Sequence, residues 1–178
     1  MREIVLPEAK PAFEWVNGRA LQKVSPRRKH SLAQSEFLIT LGEWARASGL
    51  GRFGTEWEFR IAPAGEERRP LVPDVAFLSY ARLPYEAETD ADIPRVAPDA
   101  VVEVLSSGDR RRDVEEKVRV YLAAGTSVVF LVDTKHQTVT IRDATGSQTI
   151  NRDAAVTHSS LPGFSMPASS LFEEPRPK

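Results

Sequence analysis

An acidic residue interrupts an apolar, β-branched run near the middle of the chain. Residues 100–105 read AVVEVL, and the acid is Glu103. A carboxylate buried in such a strand is costly unless it is paired, protonated or bound to a cation. The run therefore predicts a central buried strand whose glutamate has a partner or a ligand, and an unpaired structural glutamate is the less favourable interpretation.

The residues after this run predict a βαβ unit. Residues 106–109 read as a loop, and apolar residues then recur at helical spacing from about 112 to 124, where Gly125 ends the helix. Residues 127–132 are again β-branched and apolar. A strand, a helix and a strand in this order favour two parallel and adjacent strands.

The rest of the chain predicts three hairpins, one of them formed by strands over 52–61 and 71–80, and one long helix. Asn17-Gly18 indicates a type I′ turn in an N-terminal hairpin, because both residues readily adopt positive φ angles. Apolar residues at helical spacing predict a helix over about 28–48 that stops at Gly49. Strands are predicted over 52–61, 71–80, 138–142 and 147–151. The proline-rich and acidic stretch 81–98 has no clear secondary structure.

A second acid and a lysine lie close to this central unit. Asp74 follows Pro73 at the start of an apolar run, and Lys117 lies on the predicted second helix. Two carboxylates on neighbouring strands, with a lysine nearby, form a site for a hard cation such as Mg²⁺ beside a phosphate. The cation would lower the pKa of a bound water, and the ammonium would orient the nucleophile or stabilise the transition state. This is the chemistry of phosphodiester hydrolysis.

Simpler interpretations of both residues stay open on spacing alone. Asp74 after a proline is also typical of a turn or a strand edge. Lys117 lies four residues after Asp113, which is the spacing of an ordinary surface ion pair on a helix. Helical geometry places Lys117 at the margin of the apolar stripe, however, so a long side chain there can reach back over the sheet toward Glu103.

At these residues the chain resembles the Uma2 (DUF820) family of restriction-endonuclease-like proteins, a branch of the PD-(D/E)xK nuclease superfamily. The motifs that carry the resemblance are PD at 73–74, EVLS at 103–106, DVEEK at 113–117 and YLAAG at 121–125. It extends over most of the chain, from FEWVNGR at 13–19 to LPGF at 161–164 and LF at 171–172.

The resemblance implies both a fold and an activity. The fold is a mixed α/β domain, with a restriction-endonuclease-like central mixed sheet flanked by helices and an N-terminal β-hairpin. The activity is metal-dependent hydrolysis of DNA phosphodiester bonds by an endonuclease. Asp74 and Glu103 would be catalytic ligands of Mg²⁺ or Mn²⁺. The superfamily places its lysine two residues after the second acid, where this chain has Leu105, so the resemblance implies that Lys117 supplies the catalytic ammonium.

Four basic residues are candidates for binding the substrate. His30 lies near the start of the first predicted helix, where the family pattern also tends to place a histidine; a capping or packing role is the alternative. Arg110, Arg111 and Arg112 lie between Glu103 and Lys117, so they can contact phosphates, although a solvated helix start is the simpler interpretation.

Length and composition predict one domain without disulfides. The chain has 178 residues, of which 41% are hydrophobic, and this fits a single domain over 1–178 with flexible ends at 1–11 and 173–178. It has no cysteine, which rules out disulfides and thiolate metal sites. Because no signal-like or membrane-length apolar run is present, we expect a cytoplasmic protein with no membrane partner.

The overall charge leaves other functions open. The formal net charge is -1, whereas nucleic-acid-binding domains often carry a basic excess. The chain is therefore also compatible with a degenerate nuclease fold that serves as a nucleic-acid or protein binding module. A metal-dependent hydrolase of small phosphorylated molecules is the other alternative. Members of this family are often expected to act as dimers, so we expect a homodimer with DNA as its partner.

Overall fold

The helices and strands are taken from a computed structural model that describes residues 2–174. Within this range the α-helices are α1 (Arg28–Ser48), α2 (Glu88–Asp92) and α3 (Arg111–Ala123). The strands are β1 (Phe13–Val16), β2 (Arg19–Gln22), β3 (Gly51–Thr55), β4 (Phe59–Ile61), β5 (Arg69–Leu71), β6 (Val75–Ser79), β7 (Ala100–Leu105), β8 (Val128–Asp133), β9 (Thr138–Asp143), β10 (Gly146–Asn151), β11 (Ala155–Val156) and β12 (Met166–Pro167). A 3-10 turn, Ala168–Leu171, follows β12.

A six-stranded mixed sheet forms the centre of the fold. Its strand order is β10-β9-β8-β7-β6-β3. Only β7 and β8 pair in parallel, with Glu103 opposite Leu131, and the other neighbours are antiparallel. The predicted βαβ unit is therefore confirmed, and so is the mixed α/β architecture. Asp74 immediately precedes β6, and β6 is the antiparallel neighbour of β7, so the sheet also places Asp74 close to β7.

The two long helices cover opposite faces of this sheet. Phe37 and Leu41 of α1 pack with Val102 on one face. Val118 and Tyr121 of α3 pack with the other face. Strands covered on both faces are apolar along their whole length, which explains why β7 and β8 read as continuous apolar runs. Since side chains alternate along a strand, Glu103 points away from the α1 face that Val102 occupies and toward α3.

The N-terminal hairpin forms as predicted and packs beside the sheet. β1 and β2 pair antiparallel through a turn in which Asn17 and Gly18 have φ angles of 49° and 72°. These positive values are the reason that an Asn-Gly pair suits this position. The hairpin contacts β5 and α3, so it lies close to the face of the sheet that carries Glu103.

The two strands predicted over 52–61 and 71–80 are each divided in two, which corrects the prediction. β3 and β6 pair within the central sheet, whereas β4 and β5 form a separate two-stranded sheet. The breaks fall at Glu56, which has a φ of 49°, and at Pro73-Asp74, where proline has no N–H for a ladder. Asp74 therefore lies in the bend between β5 and β6.

Two segments for which the sequence predicted no secondary structure, 1–11 and 81–98, contain some regular structure within the described residues. The N-H of Ile4 donates to the Arg68 carbonyl at 2.8 Å, and the Arg68 N–H donates to the Arg2 carbonyl at 3.0 Å. The beginning of the 1–11 arm is thus paired. The 81–98 stretch contains the short helix α2. The Trp57 indole N–H donates a hydrogen bond to the carbonyl of Ala91 in this helix at 3.0 Å. Of the two predicted flexible ends, residue 1 and residues 175–178 lie outside the described range.

Candidate active site

A cavity of about 310 Å³ opens where the N-terminal hairpin, α1, β7 and the start of α3 meet. Five of the residues predicted as catalytic or substrate-binding line it, together with residues that the sequence did not single out. The predicted ones are Asp74, Glu103, Lys117, His30 and Arg110. Distant parts of the chain therefore contribute charged side chains to one opening.

Asp74 joins the bend between β5 and β6 to the strand that carries Glu103. The pairing of β6 with β7 includes Val75 opposite Val102 and does not extend to Val104. The backbone N–H of Val104 donates instead to Asp74 Oδ2 at 2.7 Å. The carboxylate thus takes the place of a strand partner at the point where the two strands separate.

The charge environment of Asp74 favours its ionised form. Its Oδ1 lies 2.7 Å from Lys23 Nζ, and its Oδ2 lies 3.3 Å from His30 Nε2. Burial alone would raise the pKa of Asp74, but the hydrogen bond from His30 and the charge of Lys23 hold it well below its usual range. Asp74 is therefore a carboxylate at any pH near neutrality.

Glu103 is buried between α3 and the sheet and has two partners. Its Oε2 lies 2.6 Å from Lys117 Nζ, and the Tyr121 hydroxyl donates to its Oε1 at 3.0 Å. Burial raises the pKa of Glu103 to about 7; the ammonium of Lys117 opposes this shift, and the nearby carboxylates add to it. Glu103 thus exchanges its proton near neutral pH, in contrast to Asp74.

Lys117 lies under the cavity rather than on the protein surface. Its Nζ contacts Glu103 and is also 2.9 Å from Glu14 Oε1. Burial alone would lower the pKa of Lys117, but the two carboxylates more than offset this effect and raise the pKa above its usual value. Lys117 does not form the alternative surface ion pair with Asp113. Asp113 instead accepts hydrogen bonds from Asn17 and Arg19 of the hairpin at 2.7 and 2.6 Å.

Glu14 is a site residue that sequence reasoning missed. It is 3% exposed, and its carboxylate accepts a hydrogen bond from the backbone N–H of Val72 at 2.8 Å while contacting Lys117. A signal was present in the sequence. Glu14 and Val16 are two residues apart in β1, so they share a face, and Val16 is fully buried. An acid on the buried face of a strand is the same pattern that singled out Glu103.

Lys23 is a second residue that the sequence did not reveal. It follows β2 in a polar stretch without periodicity, and its ammonium contacts Asp74 and the Val72 carbonyl at 2.7 and 2.9 Å. Nothing in the local pattern distinguishes it from an exposed lysine. Only the packing of the hairpin against the bend at Pro73-Asp74 brings it to the cavity.

The predicted substrate-binding residues are divided between the cavity and the outer surface. His30 is largely buried, with Nε2 toward Asp74 and no partner for Nδ1 among the described residues. Burial would lower the pKa of His30, but the hydrogen bond to Asp74 more than offsets it and raises the pKa. Arg110 lines the cavity, whereas Arg111 and Arg112 are exposed and do not belong to the described lining.

The oxygen atoms at the cavity fit a hard cation that keeps most of its water. Within residues 2–174 no group of three or more His, Cys, Asp or Glu residues could hold a metal ion. Mg²⁺ needs only one or two protein carboxylates together with waters and substrate phosphate, so Asp74 and Glu103 suffice. The sequence has no cysteine for a thiolate zinc site, and the lining of this cavity contains one histidine.

Comparison with known proteins agrees with the fold. Residues 4–169 match the model of the Uma2 family, which is described as "Putative restriction endonuclease". The chain belongs to the Uma2 family. The fold is accordingly the restriction-endonuclease-like one, with a central mixed sheet, flanking helices and an N-terminal strand pair.

A solved structure of the same family extends this similarity in three dimensions. The Uma2 chain is similar to a protein from Anabaena variabilis ATCC 29413, described as "a putative nuclease belonging to DUF820", with a TM-score of 0.82 and 28% sequence identity. The match covers 94% of this chain and 93% of that one. No curated protein is significantly similar in sequence. In the described part of the chain, no helix has the length and apolar character needed to cross a membrane.

Proposed function

We propose that this Uma2 protein is a metal-dependent endonuclease that hydrolyses phosphodiester bonds in DNA. The observation that carries the proposal is the arrangement at the end of β7. Asp74 is hydrogen-bonded to the backbone of Val104, the residue next to Glu103, and Lys117 contacts Glu103 at 2.6 Å. Two acids and an ammonium thus meet at the wall of one cavity.

The roles of the side chains follow from their charge and position. Asp74 and Glu103 would hold Mg²⁺ or Mn²⁺. When bound there, the ion would neutralise charge on the phosphate and acidify a water molecule. Lys117 provides a fixed positive charge beside Glu103, where it can orient the water and stabilise the negative charge that develops on phosphorus oxygens. Hydrolysis forms a bond from the water oxygen to phosphorus and breaks the bond to the leaving sugar oxygen, which takes up a proton.

The basic residues at the rim are suited to hold the substrate. His30 lines the cavity beside Asp74, and the raised pKa of this histidine favours the charged form, which attracts a phosphate. Arg110 lies at the cavity and leads into α3, whose first N–H groups also favour anions. These groups would position the phosphate backbone without reading its sequence.

A DNA cleavage assay with matched variants tests the proposal. We expect cleavage of plasmid DNA with Mg²⁺ or Mn²⁺, and its loss in Asp74→Asn and Glu103→Gln. Asparagine is the sharper substitution at position 74, because its amide oxygen can still accept the hydrogen bond from Val104. Asp133→Asn is the control, since Asp133 lies at the end of β8 and accepts hydrogen bonds from its own turn at 2.9 Å. Full cleavage by Asp74→Asn contradicts the assignment.

One observation favours a second candidate, a degenerate nuclease fold that binds nucleic acid or protein without cutting. Asp74 and Glu103 are both already paired with internal cations, at 2.7 and 2.6 Å, and the chain carries a net charge of only -1. Titration calorimetry of Mn²⁺ into the wild type and Glu103→Gln separates the two functions. Binding that disappears in the variant supports the nuclease, whereas the absence of binding in both supports the binding module.

A homodimer acting in the cytoplasm is part of the proposal. Cleavage of both strands of a duplex requires two active sites or two successive encounters, and a twofold dimer would present two cavities to the two strands. Sedimentation with and without a DNA duplex tests this part. A monomer on the duplex at all concentrations is the contrary result.

A further inference from the structure

Lys23 lies in a small cage of oxygen atoms beside the proposed metal ligands. Its ammonium is 2.7 Å from Asp74 Oδ1, 2.9 Å from the Val72 carbonyl and 3.0 Å from Glu56 Oε2. An ammonium has three donors, so this set uses all of them. The side chain is 12% exposed. Lysines are usually exposed and mobile, so a largely buried lysine held on three sides is an unusual feature.

The oxygen that Lys23 contacts is the one that remains for a cation on Asp74. The other oxygen, Oδ2, accepts the Val104 N–H at 2.7 Å and lies near His30. Oδ1 has the ammonium of Lys23 as its partner.

A divalent cation and this ammonium cannot share Asp74 at low cost. Like charges a few ångströms apart repel strongly in a poorly hydrated cavity. Lys117 contacts Glu103 in a similar way, but its second carboxylate partner, Glu14, is buried, so its ammonium has a fixed position inside the protein. Lys23 has a second carboxylate partner too, but that partner, Glu56, is 48% exposed and lies at the outside.

We infer that Lys23 is a resident counter-cation of Asp74 that competes with a divalent metal ion, so that metal uptake requires the Lys23 side chain to leave Asp74. The inference rests on the proposed metal site. In the metal-free protein, Lys23 neutralises the charge of the buried Asp74 carboxylate and so stabilises the fold. The same contact lowers the affinity of the site for the metal ion. Its exposed partner Glu56 provides a position that the displaced ammonium can still contact toward the solvent.

Titration calorimetry with Mn²⁺ alone tests the competition directly. We expect the dissociation constant for Mn²⁺ to fall by about tenfold or more in Lys23→Gln, since one buried repulsive charge is removed. Lys23→Arg keeps the cation and should keep the weaker binding of the wild type. Lys29→Gln is the matched control, because Lys29 is an exposed residue at the start of α1 and should leave the affinity unchanged.

Thermal unfolding gives a second measurement that does not depend on activity. In EDTA, Lys23→Gln should melt below the wild type, because Asp74 loses a buried partner. With Mn²⁺ its melting temperature should rise more than that of the wild type. If Lys23→Gln does not fold, Lys23→Met fills a similar volume without charge and serves the same purpose. The same larger rise is expected of it.

The outcomes distinguish this inference from the proposed function. Mn²⁺ affinity that is equal or weaker in Lys23→Gln, while Glu103→Gln abolishes binding, overturns the competition and leaves the metal site standing. The absence of Mn²⁺ binding in the wild type and in both uncharged Lys23 variants overturns the metal site and the inference together.

Discussion

Glu14 and Lys117 are 103 residues apart in the sequence, and their charged atoms lie 2.9 Å apart under the cavity. This contact joins the N-terminal hairpin to α3. It also gives Lys117 a second carboxylate besides Glu103, so the ammonium is fixed from two sides. The position of the proposed catalytic cation thus depends on a strand at the start of the chain.

Glu14→Gln should therefore weaken both the fold and turnover. Its amide oxygen can still accept the hydrogen bond from the Val72 N–H, but the charge that faces Lys117 is lost. We expect the free energy of unfolding to fall by about 1–3 kcal/mol, which is typical when a buried charged hydrogen bond is impaired. Urea unfolding measures this change. Glu8→Gln, at an exposed glutamate of the N-terminal arm, is the control and should have no effect.

Lys117→Met should separate metal binding from chemistry. The methionine keeps most of the apolar stem and removes the ammonium, so Asp74 and Glu103 remain available to Mn²⁺. We expect calorimetric Mn²⁺ binding to persist and DNA cleavage to fall by about 100-fold or more, the usual effect of removing one group that stabilises transition-state charge. Lost Mn²⁺ binding with folding intact would mean that Lys117 organises the metal site instead.

The contribution of Glu103 to the stability of the protein should decrease as the pH rises from about 4.5 to 7. The pKa of Glu103 in the folded state is about 7, above the ordinary value of 4.5. The folded state therefore holds this proton more tightly than the unfolded state does. The stability that results is fully present below about pH 4.5 and is lost as the pH rises toward 7.

Glu103→Gln removes this titration and isolates its contribution. Between pH 5 and 7, the wild type should lose up to about 1.4 kcal/mol of unfolding free energy per pH unit relative to the variant. Chemical unfolding of both proteins at several pH values gives the two slopes. Parallel slopes would show that Glu103 titrates at the same pH in both states.

Arg110→Gln should weaken DNA binding more than Arg111→Gln does. Only Arg110 belongs to the described lining of the cavity, although the two residues are adjacent and both exposed. Loss of one phosphate contact should reduce the slope of log K against log salt by about 1. Fluorescence anisotropy with a labelled duplex at several salt concentrations, in Ca²⁺ or EDTA to prevent cleavage, measures both quantities. Equal effects of the two substitutions would place the DNA elsewhere on this surface.

The strongest sequence signals predicted the elements and the approach of Glu103 and Lys117. The acid inside AVVEVL and the helix after it placed these two residues together, and they are in contact at 2.6 Å. The Asn-Gly turn, the long helix α1 and the parallel β7-β8 pair also followed from local pattern. Each of these features depends on residues that are close in sequence, which is where pattern carries most information.

The missed features depend on contacts between distant segments. Lys23 reaches the cavity only because the hairpin packs against the bend at Pro73-Asp74. The residue pattern in and after β2 does not predict that contact. The divided strands were missed because their breaks depend on a positive φ at Glu56 and on which sheet each half joins. Glu14 is different, since alternation with the buried Val16 was visible in the sequence and would have found it.

The hydrogen bond from Val104 gives Asp74 a structural role that is independent of catalysis. The carboxylate replaces a missing strand partner where β6 and β7 separate, so it holds the bend in place even when no substrate is cut. A relative that had abandoned cleavage would still be under selection to keep an acceptor at this position. An acid at this position is therefore explained by the need for a stable joint as well as by catalysis, and the loss of activity should be sought first at residues whose only task is chemical.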